Sequence, residues 1–87
     1  MTTEEMKQMI RAKVVELAAE IGRDARNLTD DQAIPTTGYL DSAAIMGLIA
    51  WYETAFDLDI PQEDITLDNF GSVNQMVDYA QKANRNA

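Results

Sequence analysis

The sequence predicts an all-α domain of three main helices and one short helix, with a long loop between the first two main helices. Apolar residues recur at helical spacing in three separate stretches of the 87-residue chain. Sequences typical of a capping box precede the first and the last of these stretches. We find no stretch that alternates between apolar and polar residues as a half-buried strand would.

The first main helix is indicated by five apolar residues spaced by four, four, three and four positions. They are Met6, Ile10, Val14, Leu17 and Ile21. Thr2 and Glu5 have the spacing of a capping box at its start, and Gly22 follows as a stop signal.

The segment from Gly22 to Leu40 contains mostly polar residues and the helix breakers Pro35 and Gly38. Loops of this length are uncommon in compact domains and are usually functional or a sign of a wrong assignment. Its isolated apolar residues are Leu28, Ile34 and Leu40. We interpret the segment as a structured crossover that these three residues pin to the core.

The second main helix begins near Asp41 or Ser42, either of which is suitable as its cap. It has one apolar stripe, made of Ile45, Leu48, Ile49, Tyr52 and Phe56.

The remaining helices follow a turn that contains Ile60 and Pro61. Residues 66–70 predict at most one short helical turn, which Gly71 ends. Ser72 and Gln75 have capping-box spacing before the last main helix. The stripe of that helix is Val73, Met76, Val77 and Ala80. We expect one domain over residues 1–87, with a core over about 3–82 and a frayed tail over 83–87.

The composition excludes most enzyme classes. The chain has no cysteine, and therefore no disulfide and no thiolate metal ligand. It has no histidine, the commonest general base and a common zinc ligand. We expect a protein that is not an enzyme and that binds no metal. The acidic N-terminus differs from a signal peptide and no stretch is long enough to span a membrane, so we expect a cytoplasmic protein. We also expect a monomer.

The net charge is −8, and residues 27–81 contain ten acidic side chains and no basic one. The basic residues all lie near the two ends of the chain: Lys7, Arg11, Lys13, Arg23, Arg26, Lys82 and Arg85. Such a surface repels nucleic acids and anionic membranes and attracts basic proteins. The alternative is that the acidity serves only solubility.

Ser42 is the candidate functional residue because it lies at the junction between the long loop and the second main helix. We expect its hydroxyl to be exposed, beside free backbone N–H groups that would favour a phosphate. The alternative is that Ser42 is an ordinary helix cap. A catalytic serine would need a nearby base, and the chain has no histidine. Modification by another enzyme needs only exposure and a docking surface.

The outer face of the second main helix has the composition of such a docking surface. Its residues are small or apolar where lysine or glutamate would be usual, and Gly47 costs the helix about 1 kcal/mol relative to alanine. We assign to the partner surface Leu40, Ala43, Met46, Gly47, Ala50 and Trp51. The alternative for Met46 and Trp51 is a core position under the long loop or the last helix.

Three segments resemble the acyl carrier protein family, which includes peptidyl and aminoacyl carriers. They are Gly38-Tyr39-Leu40-Asp41-Ser42, Ile45-x-x-Leu48-Ile49 and Phe56-Asp57-Leu58-Asp59-Ile60-Pro61. The resemblance implies a small four-helix bundle. It also implies that a phosphopantetheinyl transferase attaches 4′-phosphopantetheine to Ser42, with Mg²⁺ held between that enzyme and Asp41. The cargo would then be a thioester on this arm.

The sequence departs from fatty-acid carriers at three positions. Ala43 replaces the usual leucine, and Ala44 and Gly47 lie where acidic residues are common. These departures favour similarity to a stand-alone aminoacyl carrier, with an amino acid as the cargo. The implied partners are an acyl- or aminoacyl-activating adenylating ligase, which could be synthetase-like, and a downstream acceptor enzyme.

Two other classes of protein share parts of this pattern. Asp57 and Asp59 begin like a calcium-binding loop, but Pro61 and Gln62 stand where a ligand and the glycine belong. An acidic helical adaptor that binds a partner through the same outer face without modification is the second alternative. It leaves the Asp41-Ser42 pair and the long loop unexplained.

Overall fold

The structure is a computed structural model that describes residues 1–85. Within that range it contains α-helices and one 3₁₀ turn and no strand, which confirms the predicted all-α class. The helices are α1 (Thr3–Glu20), α2 (Ile34–Thr37), α3 (Ser42–Ala55), α4 (Leu67–Phe70) and α5 (Val73–Arg85), with the 3₁₀ turn at Gln62–Asp64. None of these helices has the length and apolar character that crossing a membrane requires.

Helix α1 begins and ends as the local sequence predicts. Thr2 and Glu5 form a complete capping box, in which each side chain accepts a hydrogen bond from the other residue's backbone N–H. Gly22 follows the helix with φ +76°, a conformation that is rarely open to residues with a side chain.

The apolar stripe of α1 differs from the prediction at its C-terminal end. Met6, Ile10 and Val14 are buried as expected, and the next buried residue is Ala18. Leu17 is only half-buried, and Ile21 is 37% exposed. The small Ala18 continues the four-residue spacing and allows close approach, whereas Leu17 and Ile21 lie beside this row.

The long loop is the structured crossover that the sequence predicts. Leu28, Ile34 and Leu40 are all buried, and so is Ala25, which is not one of the predicted anchors. The backbone N–H of Ile34 donates to the carbonyl oxygen of Gly71 at 2.7 Å. This bond ties the loop to the short connection between α4 and α5.

Helix α2 was not predicted, although its boundaries carry two recognised signals. Pro35 lies in its first turn, where a missing N–H is tolerated. Gly38 ends it in the left-handed conformation with φ +77°. A single turn without an amphipathic repeat leaves no periodicity to detect.

The core lies among the three long helices, because α1 packs against both α3 and α5. Residues from the predicted stripes of α3 and α5 are buried there: Leu48, Ile49, Tyr52, Phe56, Val73, Met76, Val77 and Ala80. The short helix α4 is ended by Gly71 as predicted and packs on α5. Helix α5 runs to Arg85, so residues 83–85 are helical where we expected a frayed tail. Residues 86 and 87 of that tail lie outside the described range.

Candidate functional site

Ser42 is the first residue of α3, and its side chain is exposed. Asp41 is the N-cap, since its side chain accepts a hydrogen bond of 2.8 Å from the backbone N–H of Ala44. Helix geometry leaves the N–H groups of Ser42 and Ala43 without an intrahelical acceptor. The hydroxyl of Ser42 therefore lies at the positive end of the helix dipole, beside two donors that suit a phosphate group.

The residues that precede Ser42 hold the junction in place. The hydroxyl of Thr37 accepts from the backbone N–H of Tyr39 at 3.2 Å and donates to the carbonyl oxygen of Ile34 at 2.7 Å. Leu40, which we assigned to the partner surface, is only 4% exposed. This assignment is corrected: Leu40 anchors the end of the loop in the core, because burial of its apolar side chain is more favourable than exposure.

The outer face of α3 presents the small and apolar residues that the sequence predicts. Ala43, Gly47 and Ala50 are exposed, and Met46 is 58% exposed. Position Gly47 has open space where a side chain would project. A partner could therefore approach the backbone of α3 closely within one to two turns of Ser42.

Trp51 differs from the other residues assigned to that face. Its ring is half-buried and meets the ring of Phe56 edge-to-face, with centroids 6.0 Å apart. The ammonium group of Lys13, in α1, lies 6.0 Å from the centre of the indole. Trp51 thus lies where α3 meets α1, partly covered, and presents only part of its surface to a partner.

A partly open apolar cavity of about 210 Å³ lies on the other side of α3. Ile45 contributes to the wall of this cavity. It lies three residues after Ser42 and therefore on a neighbouring part of the same helix face. Its lining is Ile34, Pro35, Ile45, Leu48, Ile49, Ile65, Thr66, Leu67, Phe70 and Met76. Sequence reasoning did not find this cavity, because residues from four separate segments enclose it.

The three lysines of the chain form ion pairs. Each of the three lysines has a carboxylate partner within 4 Å; the pairs are Lys7–Asp30, Lys13–Glu16 and Lys82–Asp78. No cluster of acidic residues among the described part of the chain has the arrangement of a metal site.

A small helical bundle with an Asp-Ser pair at the start of its middle long helix is the arrangement of a carrier domain. The family described as "Phosphopantetheine attachment site" matches residues 12–80, and the chain belongs to this family. The match spans the long loop, Ser42 and most of α5. Searches of curated proteins and of solved structures returned no significant match.

Domains of this family are attachment sites for 4′-phosphopantetheine. Ser42 fits the covalent end of that group, since its exposed hydroxyl could form the phosphodiester next to the free N–H groups of the first turn. The exposed small residues of α3 leave room for the rest of the arm on one side. The cavity behind Ile45 offers an apolar space on the other.

Proposed function

We propose that this protein carries an acyl or aminoacyl group as a thioester on a 4′-phosphopantetheine arm attached to Ser42. The observation that carries this proposal is the exposed hydroxyl of Ser42 directly after Asp41, within the residues that match the family. The arm supplies the thiol that this cysteine-free chain lacks. The protein supplies the attachment hydroxyl and a surface that other enzymes recognise.

We propose that enzymes acting on the carrier perform all the chemistry. Carrier domains generally interact with a phosphopantetheinyl transferase and with acyl-handling enzymes. For this chain the transferase would use Asp41 beside Mg²⁺. An adenylating ligase and an acceptor enzyme would dock on the exposed part of α3, at Ala43, Met46, Gly47 and Ala50. We place the carrier in the cytoplasm as a monomer.

An amino acid is the cargo that the outer face of α3 favours. Ala44 and Gly47 leave the first turns of α3, after Asp41, without the acidic residues that fatty acid synthases read. Differences in surface charge of this kind select partners through electrostatic complementarity.

An apolar acyl group is the second candidate cargo, and the cavity favours it. The cavity is lined almost wholly by apolar side chains and begins one turn beyond Ser42. An acyl chain would gain the free energy of leaving water there, about 0.8 kcal/mol for each buried methylene. The ammonium group of an amino acid would be costly to bury in the same place.

Intact mass spectrometry tests the attachment. The purified protein is incubated with coenzyme A, Mg²⁺ and a broad-specificity phosphopantetheinyl transferase, beside Ser42→Ala. We expect a gain of one phosphopantetheine in the wild type and none in the variant. Asp41→Asn is the matched control for the carboxylate, because asparagine is as good a helix N-cap as aspartate but has no negative charge. It should leave α3 intact and slow the Mg²⁺-dependent transfer.

No gain of mass with several transferases would contradict the proposal and favour the unmodified adaptor. The adaptor also predicts that Ser42→Ala binds its partners fully and that cells contain no modified form. Loading of the modified protein with amino acids or with fatty acids, by the corresponding ligases, then distinguishes the two cargoes. Exclusive fatty acyl loading would contradict the aminoacyl proposal.

A further inference from the structure

A side chain from the start of the long loop holds the end of the same loop. One terminal nitrogen of the Arg23 guanidinium donates a hydrogen bond of 2.6 Å to the carbonyl oxygen of Gly38, fifteen residues further along the chain. Gly38 lies four residues before Ser42. The bond is charge-assisted, and such bonds are shorter and stronger than those between neutral groups.

The backbone of Arg23 is itself fixed by the end of α1. The N–H of Gly22 donates to the carbonyl oxygen of Ala19 at 3.0 Å, and the N–H of Arg23 donates to that of Ala18 at 2.8 Å. These two bonds, with Gly22 in the left-handed conformation, form a Schellman motif. The guanidinium therefore extends from a rigid helix end.

The backbone beyond Gly38 transmits this constraint to Ser42. Gly38 ends α2 with φ +77°, and the next N–H, that of Tyr39, donates to the hydroxyl of Thr37. Leu40 is buried, and Asp41 begins α3 as its cap. A shift of Gly38 would therefore change the approach of the chain to Ser42, whereas the body of α3 is held by the core.

Arg23 differs from the two nearest arginines in the sequence in the group that its guanidinium contacts. Arg23 and Arg26 both make exposed contacts, but Arg26 pairs with the carboxylate of Asp24 only two residues away. Arg11 pairs with the carboxylate of Asp30. Of these three arginines, Arg23 alone bonds to the backbone of the segment that leads into α3.

We propose that Arg23 is a positioning residue for the modification of Ser42. Its bond to Gly38 keeps residues 38–41 in the conformation in which the transferase recognises the Asp41-Ser42 junction. This inference rests on the proposed function of Ser42. Arg23 acts through the backbone of Gly38 and does not contact the reacting atoms.

The proposal predicts a particular kinetic signature. Without the bond, residues 38–41 are in the recognised conformation for a smaller fraction of the time. The apparent affinity of the transferase for the carrier falls in proportion to that fraction. Once the transferase holds the junction, the chemical step is unchanged. Loss of one such bond corresponds to a rise of up to about fivefold in KM for the carrier, with kcat unchanged.

Transferase kinetics with Arg23→Ala, Arg23→Lys and Arg26→Ala test the inference. Arg26→Ala is the matched control, since it removes an equal charge from an exposed position three residues away. We expect KM to rise only in the Arg23 variants, less in Arg23→Lys because lysine keeps a cationic donor. Amide hydrogen exchange should become faster at Tyr39 in Arg23→Ala, while the protein stays folded and its thermal midpoint falls by at most about 8 °C.

Two outcomes would overturn the inference. One is a KM for Arg23→Ala equal to that of Arg26→Ala, which would assign any effect to charge alone. The other is unchanged exchange at Tyr39. If the wild type is not modified at all, the proposed function fails, and the exchange measurement still shows whether Arg23 holds the loop.

Discussion

The phenolic hydroxyl of Tyr52 donates a hydrogen bond of 2.7 Å to the main-chain carbonyl oxygen of Met76. Both residues are fully buried, so this bond joins α3 to α5 inside the core. Tyr52 also meets the rings of Phe56 and Phe70 edge-to-face. The helix that begins with Ser42 is thereby held against the last helix.

Tyr52→Phe should lower the free energy of unfolding by about 1 kcal/mol, because it removes the hydrogen bond and keeps the ring. The carbonyl oxygen of Met76 remains in the hydrogen-bond ladder of α5, so the loss stays moderate. Urea unfolding followed by circular dichroism measures it. Tyr79→Phe, which removes a half-buried bond to the carboxylate of Asp64, is the comparison and should cost less. Equal losses would contradict a special role for the buried bond.

The same two tyrosines predict a loss of stability in alkali. Burial raises the pKa of Tyr52 well above its ordinary value. Burial, followed by the hydrogen bond to Asp64, raises the pKa of Tyr79 to about 12. Both groups favour the neutral phenol in the folded state, while unfolded tyrosine titrates near pH 10. Their contribution is therefore complete below about pH 10 and falls as the pH rises through the folded pKa values.

Urea midpoints measured between about pH 8 and 12 should therefore be constant at first and then decrease. The decrease should be smaller in Tyr52→Phe and in Tyr79→Phe, since each variant lacks one of the titrating groups. A midpoint that stays constant across the whole range would show that the folded protein tolerates both phenolates.

Gly71→Ala should destabilise the protein by about 1–3 kcal/mol. A methyl group at this buried position would overlap the backbone carbonyl oxygen of Leu67 and lie 3.0 Å from Oε1 of Gln75. The backbone would have to shift, and the bond from Ile34 to the carbonyl oxygen of Gly71 would shift with it. Thermal unfolding of the variant measures the loss.

Gly47→Ala is the matched substitution, because nothing lies within 4 Å of the added methyl group. It should stabilise the protein by about 0.5–1 kcal/mol through the higher helix propensity of alanine. If both substitutions changed the stability in the same direction, steric contact at Gly71 would not be the deciding factor.

Leu40 and Met46 should respond in opposite ways to replacement by alanine. Leu40→Ala should cost about 2–4 kcal/mol of stability, because its side chain is buried at the end of the loop. Met46→Ala should leave stability within about 0.5 kcal/mol, since the side chain is mostly exposed. Urea unfolding measures both values.

Met46 should also contribute to the binding of the loading ligase. We expect Met46→Ala to weaken association with the loading ligase, measured by calorimetry on the phosphopantetheinylated protein. Full affinity in Met46→Ala would remove this residue from the proposed partner surface.

Local sequence was sufficient for most helix boundaries. The capping box of Thr2 and Glu5, and the glycine at position 22, depend on contacts within one or two turns. The three buried loop residues could be predicted for a related reason: isolated apolar side chains in a polar segment have only the core to bury them. The place of Ser42 at the start of a helix could be predicted in the same way, since a helix start is defined by the residues next to it.

The sequence by itself therefore determined the all-α class, the ends of α1 and the position of Ser42. Tertiary structure decided that Leu40 serves the core alone and not the partner surface, that α1 partly covers Trp51 and that a cavity lies behind Ile45. It also decided that Arg23 reaches Gly38. Each of these relations joins residues from separate segments, so it depends on how the helices pack against one another, which spacing along the chain does not specify.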